Sequence, residues 1–245
     1  MPGAISVGSI PSYMSAGGIS SLEVPLRFDN LQMWLDASKL IGAEGDTLAE
    51  WNNLIRSPTS NTDLDMLSSA AGGGPNLILS TQNGLNVVRF DGLTADHMQT
   101  GGTLTWVETM PWTIYVVARR SVGFTQFHRV FYTTAGEVGF TDSADNFYAY
   151  AGAASFPQIA AADANYHVFY AEMNSDASNL AANDSETGTT DVGTLNPDSE
   201  LFLSHNSASP LDGDIAELIV YTDSQSSDEV DIITHHLLRK WGLST

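Results

Sequence analysis

Residues 211–245, "LDGDIAELIVYTDSQSSDEVDIITHHLLRKWGLST", run through a turn, an apolar stretch, a polar hinge and a helical pattern. "DIAELIVY" (214–221) has the apolar, β-branched character of a strand. Ser226 followed three residues later by Glu229 fits a capping box. Asp228, Glu229 and Asp231 then lie at the positive end of the helix dipole, and Arg239 and Lys240 at the negative end. Val230, Ile233, Leu237, Leu238 and Trp241 recur at helical spacing as one apolar stripe, and Gly242 supplies the stop. The pattern predicts an amphipathic helix over about 227–241. Its role is structural: it covers an apolar patch on whatever the strands build.

Upstream the reading is strand after strand. "LQMWLDA" (31–37) alternates, with Leu31, Met33 and Leu35 on one face and Gln32, Trp34 and Asp36 on the other. "QNGLNVVRFDG" (82–92) opens on Asn83-Gly84, a tight-turn signal, and closes on Asp91-Gly92. "WTIYVVA" (112–118) is β-branched and aromatic on both faces, which predicts a central strand covered on both sides. "RVFYTT" (129–134), "NFYAYAG" (146–152), "YHVFYAEM" (166–173) and "ELFLSH" (200–205) follow, separated by Gly, Asn, Asp and Ser clusters. Short strands without helices between them argue for a sandwich rather than βαβ units. Residues 1–29 differ: Gly, Ser, Ala and Pro dominate, with single apolar residues among them. The chain therefore divides into an extended N-terminal arm (1–29) that docks on a partner or on its own domain, and one domain (30–245). An arm of this kind points mildly to an assembly, and an oligomer is expected.

The chain carries 29 acidic and nine basic residues, a formal net charge of −20. Eighteen Asp or Glu and no Lys or Arg lie between Arg129 and Arg239. Such a surface repels phosphate backbones and anionic lipid, so neither nucleic acid nor membrane is an expected partner. High solubility explains it, and so does a concentration of carboxylates for cations. With no cysteine, disulfides and thiol catalysis are excluded. The first basic residue is Arg27, so no secretory signal is read at the start, and no apolar run is long enough to span a membrane.

Three segments together carry a family resemblance. "LQMWLDASKL…LAEWNN", "NGLNVVRFDG" and "DGDIAELIVYTDSQSSDEVDIITHHLLRKWGL" resemble the laminin-G-like jelly rolls of the concanavalin A-like lectin/glucanase superfamily, in its bacterial and phage branch. The resemblance spans residues 30–243. It implies two antiparallel sheets, one of them concave, with edge loops that in some members bind sugars, often through Ca²⁺. The expected fold is thus all-β: a two-sheet antiparallel jelly-roll sandwich with one C-terminal helix. The resemblance does not give a function, because this fold carries lectins, enzymes and scaffolds alike.

Each chemistry is then tested on residues. The superfamily's glucanases alternate carboxylates along one strand, and no strand here does so. Glu229 and Asp231 have that spacing but fall in the first turn of the predicted helix, and Glu217 is a lone strand carboxylate expected to be paired within the sandwich. Of the histidines (His97, His128, His167, His205, His235, His236), the last two are adjacent on the helix and point apart, so they cannot clamp one metal. No catalytic residue is assigned, and no enzyme is expected. The loops "FDGLTADH" (90–97) and "TDSADN" (141–146) are oxygen-rich, with Asp91, Asp96, Asp142, Asp145 and Asn146. Ca²⁺ would be sought there, but turn geometry explains the same residues, so no metal ligands and no cofactor are assigned. Trp106, Phe124, Phe127, Tyr148, Tyr150 and Phe156 lie in or near loops where a ring could stack on a sugar, whereas Trp34, Trp51, Trp112 and Trp241 read as core.

The favoured reading is a non-enzymatic virion surface protein: a phage capsid-decoration or fibre-type jelly roll made in the host cytoplasm and attached to capsid or other virion proteins through residues 1–29. Surface glycans of the host are then a second partner. The alternative is a secreted or cell-surface carbohydrate-binding module located outside the cell. An intracellular scaffold is permitted by the same features and favoured by none.

Overall fold

The structure is a computed structural model that describes residues 21–55, 64–68, 73–92, 96–101, 110–121, 127–133, 136–141, 146–153, 157–160, 164–183, 185–194, 200–204 and 209–244. After a 3₁₀ helix at Ser21–Arg27 come β1 (Leu31–Asp36), β2 (Glu50–Trp51), β3 (Met66–Ser68), β4 (Asn76–Gln82) and β5 (Leu85–Asp91). The middle of the chain gives β6 (Met98–Thr100), β7 (Trp112–Arg120), β8 (His128–Tyr132), β9 (Glu137–Phe140), β10 (Asn146–Tyr150) and β11 (Gln158–Ala160). Then follow β12 (His167–Met173), β13 (Asn179–Ala182), β14 (Ser185–Glu186), β15 (Phe202–Leu203), β16 (Asp212–Tyr221) and α1 (Ser227–Trp241).

These strands form two eight-stranded antiparallel sheets. The first runs β14-β13-β12-β7-β16-β5-β4, and the second β11-β10-β9-β8-β15-β6-β3-β2. β16 is the organising strand of the first sheet. One of its edges pairs with β7 throughout; the other is shared, β5 taking Asp212–Ile215 and β1 taking Glu217–Tyr221. β7 is buried on both faces along nearly its whole length, as its composition predicts.

Two apolar layers result. Met33, Leu35, Val116, Phe169, Ile215, Leu218 and Val220 fill the space between the sheets. Trp34, Tyr115, Ile219 and Tyr221 point out of the first sheet's other face and are covered by Val230, Ile233, Leu237, Leu238 and Trp241 of α1. The helix begins at a complete capping box of Ser226 and Glu229 and ends at Gly242, in the left-handed region at φ 64°. Its last carbonyls are held by the β4–β5 turn: Asn83 Nδ2 donates to Lys240 O (2.9 Å) and Gln82 Nε2 to Trp241 O (2.7 Å). Asn83 and Gly84 both have positive φ, the geometry of a tight hairpin turn.

Strict alternation fails at two bulges, and both matter. In β1 the register shifts between Leu31 and Met33, so Leu31 packs on the helix side instead of sharing the face of Met33 and Leu35. In β16 the register shifts between Ile215 and Glu217, leaving Ala216 as an extra residue opposite β7. A bulge turns two successive side chains to one face. Glu217 is therefore directed under the helix and not into the apolar space between the sheets.

There it meets the donors that a buried carboxylate needs. Trp34 Nε1 and Trp241 Nε1 donate to Glu217 at 2.7 Å each, and Lys240 Nζ does so at 2.6 Å. The same ammonium lies 2.7 Å from Asp36 Oδ2. Asp36 Oδ1 accepts from the Ser38 amide and hydroxyl. Burial pushes the Glu217 carboxyl above the usual range; Lys240 pulls against that, and Asp36 adds to it. The pairing expected for Glu217 from the sequence is thus present, with its partner on the helix.

Within the segment read as an extended arm, residues 21–27 coil into the 3₁₀ helix instead. Val24 is buried against the α1 layer, and Tyr221 donates its hydroxyl to Pro25 O at 3.0 Å. Residues 1–20 of that arm lie outside the described residues.

Two outcomes follow for stability. Lys240→Met leaves Asp36 and Glu217 buried together without a counter-charge and should cost about 3–5 kcal/mol in urea unfolding; adding Glu217→Gln should recover part of that loss. Buried His236 is lowered to about 4 from 6.5, by burial first and then by Lys240 and Arg239. The folded chain keeps it neutral while the unfolded chain takes up a proton, so its contribution is complete above the unfolded value and is lost as the pH falls towards the folded one. The expected loss from about pH 7 to about pH 5 is on the order of 2 kcal/mol. Thermal midpoints of His236→Leu should be flatter than wild type over that interval.

Candidate functional site

The outer face of the first sheet carries a row of polar residues beyond the helix-covered patch. Asp214 on β16 is the direct cross-strand partner of Arg89 on β5 and of Arg119 on β7. Tyr166, one residue before β12, continues the row, since His167 pairs with Ala118. Antiparallel register alone thus sets Arg89, Asp214, Arg119 and Tyr166 side by side. Gly213 allows the close approach of β16 to β7: a β-carbon there would lie 2.2 Å from the Arg119 carbonyl oxygen.

Asp214 is 1% exposed and holds the row together. Arg89 donates Nε to Oδ1 at 2.7 Å and Nη2 to Oδ2 at 3.0 Å. Arg119 Nε donates to Oδ2 at 2.7 Å, and the Tyr166 hydroxyl to the same oxygen at 2.6 Å. The Arg119 guanidinium also lies over the Tyr166 ring, 5.1 Å from its centroid. Burial alone would raise the Asp214 carboxyl; the hydrogen bonds from Arg89 and Tyr166 and the two guanidinium charges outweigh it and hold the group below its ordinary range. Tyr166 is pushed well above the ordinary phenol range, by burial first and then by Asp214. It is a neutral donor at all physiological pH.

Beside Arg119 and Tyr166 opens a cleft of about 410 Å³. One wall is the end of β4 (Thr81, Gln82); another is Asn165, His167 and Asn183; the third is the chain just past α1 (Leu243, Ser244). Asn183 Nδ2 lies 3.1 Å from His167 Nδ1, and its Oδ1 accepts from the Val168 amide at 3.0 Å. Among the described residues no acidic side chain lines the cleft. Its polar groups include hydroxyls, amides, an imidazole and a guanidinium, set around an aromatic ring edge. That set can hold a polar ligand in one orientation.

The aromatic residues singled out for sugar stacking are elsewhere. Tyr148 is fully buried and donates to Glu137 Oε1 at 3.0 Å. Phe127 packs edge-on to it, and Tyr150 is half-buried. Trp106, Phe124 and Phe156 lie outside the described residues. Trp34, Trp51, Trp112 and Trp241 are core, as read. Of the loop oxygens, Asp142 and Asp145 fall outside the described residues, Asp96 is buried, and Asp91 and Asn146 are half-buried. Among the described residues no three acidic or histidine side chains converge as a metal would require. His235 is exposed and His236 buried, so they do point apart; His97 and His128 are buried, and His205 is outside the described residues. Asp36 and Glu217, brought together by the fold, are buried beneath α1 and share one ammonium.

Sequence reading missed the Arg89–Asp214–Arg119 row. A signal was present: Arg89 interrupts an apolar strand run, and Arg119 and Asp214 stand at the ends of two others. Which strands are neighbours is set by tertiary pairing, which the linear pattern does not carry.

Two antiparallel sheets face to face, with a helix on the outer face of one, define the class: a jelly-roll β-sandwich. No family model and no curated protein matches the sequence. Solved structures share the fold. The Trypanosoma rangeli sialidase in complex with sialic acid matches at TM-score 0.59 and 11% identity, over 89% of this chain and 34% of its own. The botulinum neurotoxin serotype D binding domain matches at TM-score 0.60 and 9% identity, over 88% of this chain and 55% of its own. The binding domain of Paraclostridial Mosquitocidal Protein 1 matches at TM-score 0.59 with the same identity, 9%, and the same coverage. The chain thus spans about a third of the sialidase and about half of the toxin domains, and the likeness is one of fold.

Asp214→Asn tests the row directly. It removes the charge that two part-exposed guanidiniums and a phenol share, and should cost about 1–3 kcal/mol in urea unfolding near neutral pH. Because the folded carboxyl is held below its unfolded value, its contribution is present above that value and fades as the pH falls through the folded one. The gap between variant and wild type should close below the ordinary aspartate value of 3.8.

Proposed function

We propose that the chain is a non-enzymatic glycan-binding module of the concanavalin A-like, laminin-G-like kind, and that the cleft beside Arg119 and Tyr166 is its ligand site. The cleft itself carries this reading: a preformed polar hollow in which Arg119 and Tyr166 are held in place by Asp214 of the sheet. Small-ligand sites pair a few fixed polar groups with a ring or apolar wall, and rigid positioning lowers the entropy lost on binding. The lining includes an amide-rich wall suited to sugar hydroxyls, and among the described residues it has no carboxylate pair suited to glycoside hydrolysis. The shared fold of the toxin binding domains and the sialidase is compatible with this reading and does not assign it.

The second reading places the same sandwich on a virion surface, of the phage branch, attached through residues 1–29 as one copy in an assembly. Its support is local. Val24 and Pro25 fasten the start of the domain to the α1 layer and to Tyr221, so an attachment made through residues 1–20 would present the sandwich as a rigid body.

The two readings part on a glycan array probed with the whole chain, with Ca²⁺ and again with chelator. The expected result is selective retention that survives the chelator, because the cleft offers donors to the ligand and, among the described residues, no cluster of metal-ligating side chains. Retention abolished by chelator would move the site to the edge loops. A blank array in both conditions would sink the glycan reading and leave the attachment role.

A further inference from the structure

We infer that the ligand of this cleft is an anionic sugar whose carboxylate is taken by the free fork of Arg119; this rests on the cleft being the glycan site proposed above. The charge balance of the row is the first observation. Asp214 is saturated, its two oxygens accepting four donated hydrogens from Arg89, Arg119 and Tyr166. Among the described residues of the row, one carboxylate between two guanidiniums leaves one positive charge over. Arg89 spends both Nε and Nη2 on Asp214, whereas Arg119 spends Nε alone, so the charge left over is centred on Arg119.

The second observation is where that charge sits and how it is held. Arg119 spends only Nε on Asp214, and its terminal nitrogens have no protein partner among the described residues. Its side chain is 32% exposed and lines the cleft. The Nε bond and the stack on Tyr166 set the plane of the guanidinium before any ligand arrives. A planar fork with two free donors matches the two oxygens of a carboxylate side by side. Around it, Thr81 and Asn165 supply neutral groups of the kind sugar hydroxyls pair with.

The third observation is scale. Eight other basic residues are set against 29 acidic ones in the whole chain, so a polyanion meets repulsion almost everywhere beyond this cleft. One fork suits one negative group on an otherwise neutral ring: a uronic or sialic-type acid, with a sulfated sugar sharing the same chemistry.

The test is calorimetric or NMR titration of the whole chain with glucuronate, galactose 6-sulfate, glucose and acetate. Glucuronate is expected to bind at least about tenfold more tightly than glucose or acetate, and more weakly as salt is added. Arg119→Met should remove that preference. Thr81→Trp, at an exposed wall position where folding is not at stake, should block all sugars by filling the cleft. Arg239→Gln, an exposed helix arginine, should change nothing. Galactose 6-sulfate binding as well as glucuronate would support the anionic class and widen it to sulfate. Glucose bound as tightly as glucuronate, or Arg119→Met without effect in a chain shown to be folded, would overturn the inference and leave the glycan site standing. Acetate bound as tightly as glucuronate would overturn it in favour of a bare anion site. Binding of none of the four would overturn the inference, and with a blank array the glycan reading as well.

Discussion

The first sheet's outer face depends on one buried ammonium. Lys240 Nζ stands between Glu217 and Asp36, both essentially inaccessible, and its position on the last turn of α1 ties that helix to β16 and β1 at once. A buried ion pair is not a large net source of stability compared with apolar packing. It is, however, intolerant of misplacement, because moving any member leaves a charge buried without a partner. The apolar stripe of α1 would accept several registers along the sheet. The indole donors of Trp34 and Trp241 and the ammonium of Lys240 accept one. Packing supplies the attraction here, and the charges select the geometry.

The same strand repeats the device a few residues earlier. Asp214 and Glu217 both face outward on β16, which strict alternation forbids and the extra residue at Ala216 permits. Glu217 fastens the end of the helix; Asp214 fastens Arg89, Arg119 and Tyr166 beside it. The cleft is bounded on one side by each device, since Leu243 and Ser244 follow directly from the helix that Lys240 anchors. Its shape is therefore set by two charge clusters on one strand and by the Asn83-Gly84 turn that holds the helix's last carbonyls.

Legibility in the sequence follows the range of the interactions involved. The helix over 227–241 could be read to the residue, because its box, stripe and glycine stop are all local. The hairpin at Asn83-Gly84 and the central strand 112–118 are also local signals, and both stand. Short strands such as Glu137–Phe140 and Asn179–Ala182 carry little local signal: Gly139 and the small residues of "NLAA" have low strand preference, and only pairing with neighbours makes them strands. The bulges were hidden for a similar reason. Nothing in "LQMWLDA" marks Gln32 as the point where Leu31 changes face, and nothing in "DIAELIVY" marks Ala216; each shift is decided by what waits on the other side of the sheet. The site was the least legible part. It is built from three strands remote in sequence, and its residues look like ordinary strand charges until the register is known.

The acidic surface and the small cationic cleft bear on each other. At physiological ionic strength charges act over about 8 Å, so a net charge of −20 spread over the molecule does not cancel a single guanidinium at contact range. It does act on ligands larger than that distance, which feel many carboxylates at once. A polyanion approaching the cleft would gain one ion pair and lose against a whole surface. A ligand with one negative group on a neutral body gains the same pair and loses little. On the proposed reading, the charge distribution would discriminate by size and charge density before the cleft discriminates by shape. An excess of carboxylates that looks like a matter of solubility in the sequence would then also act, around Arg119, as a filter on what can bind there.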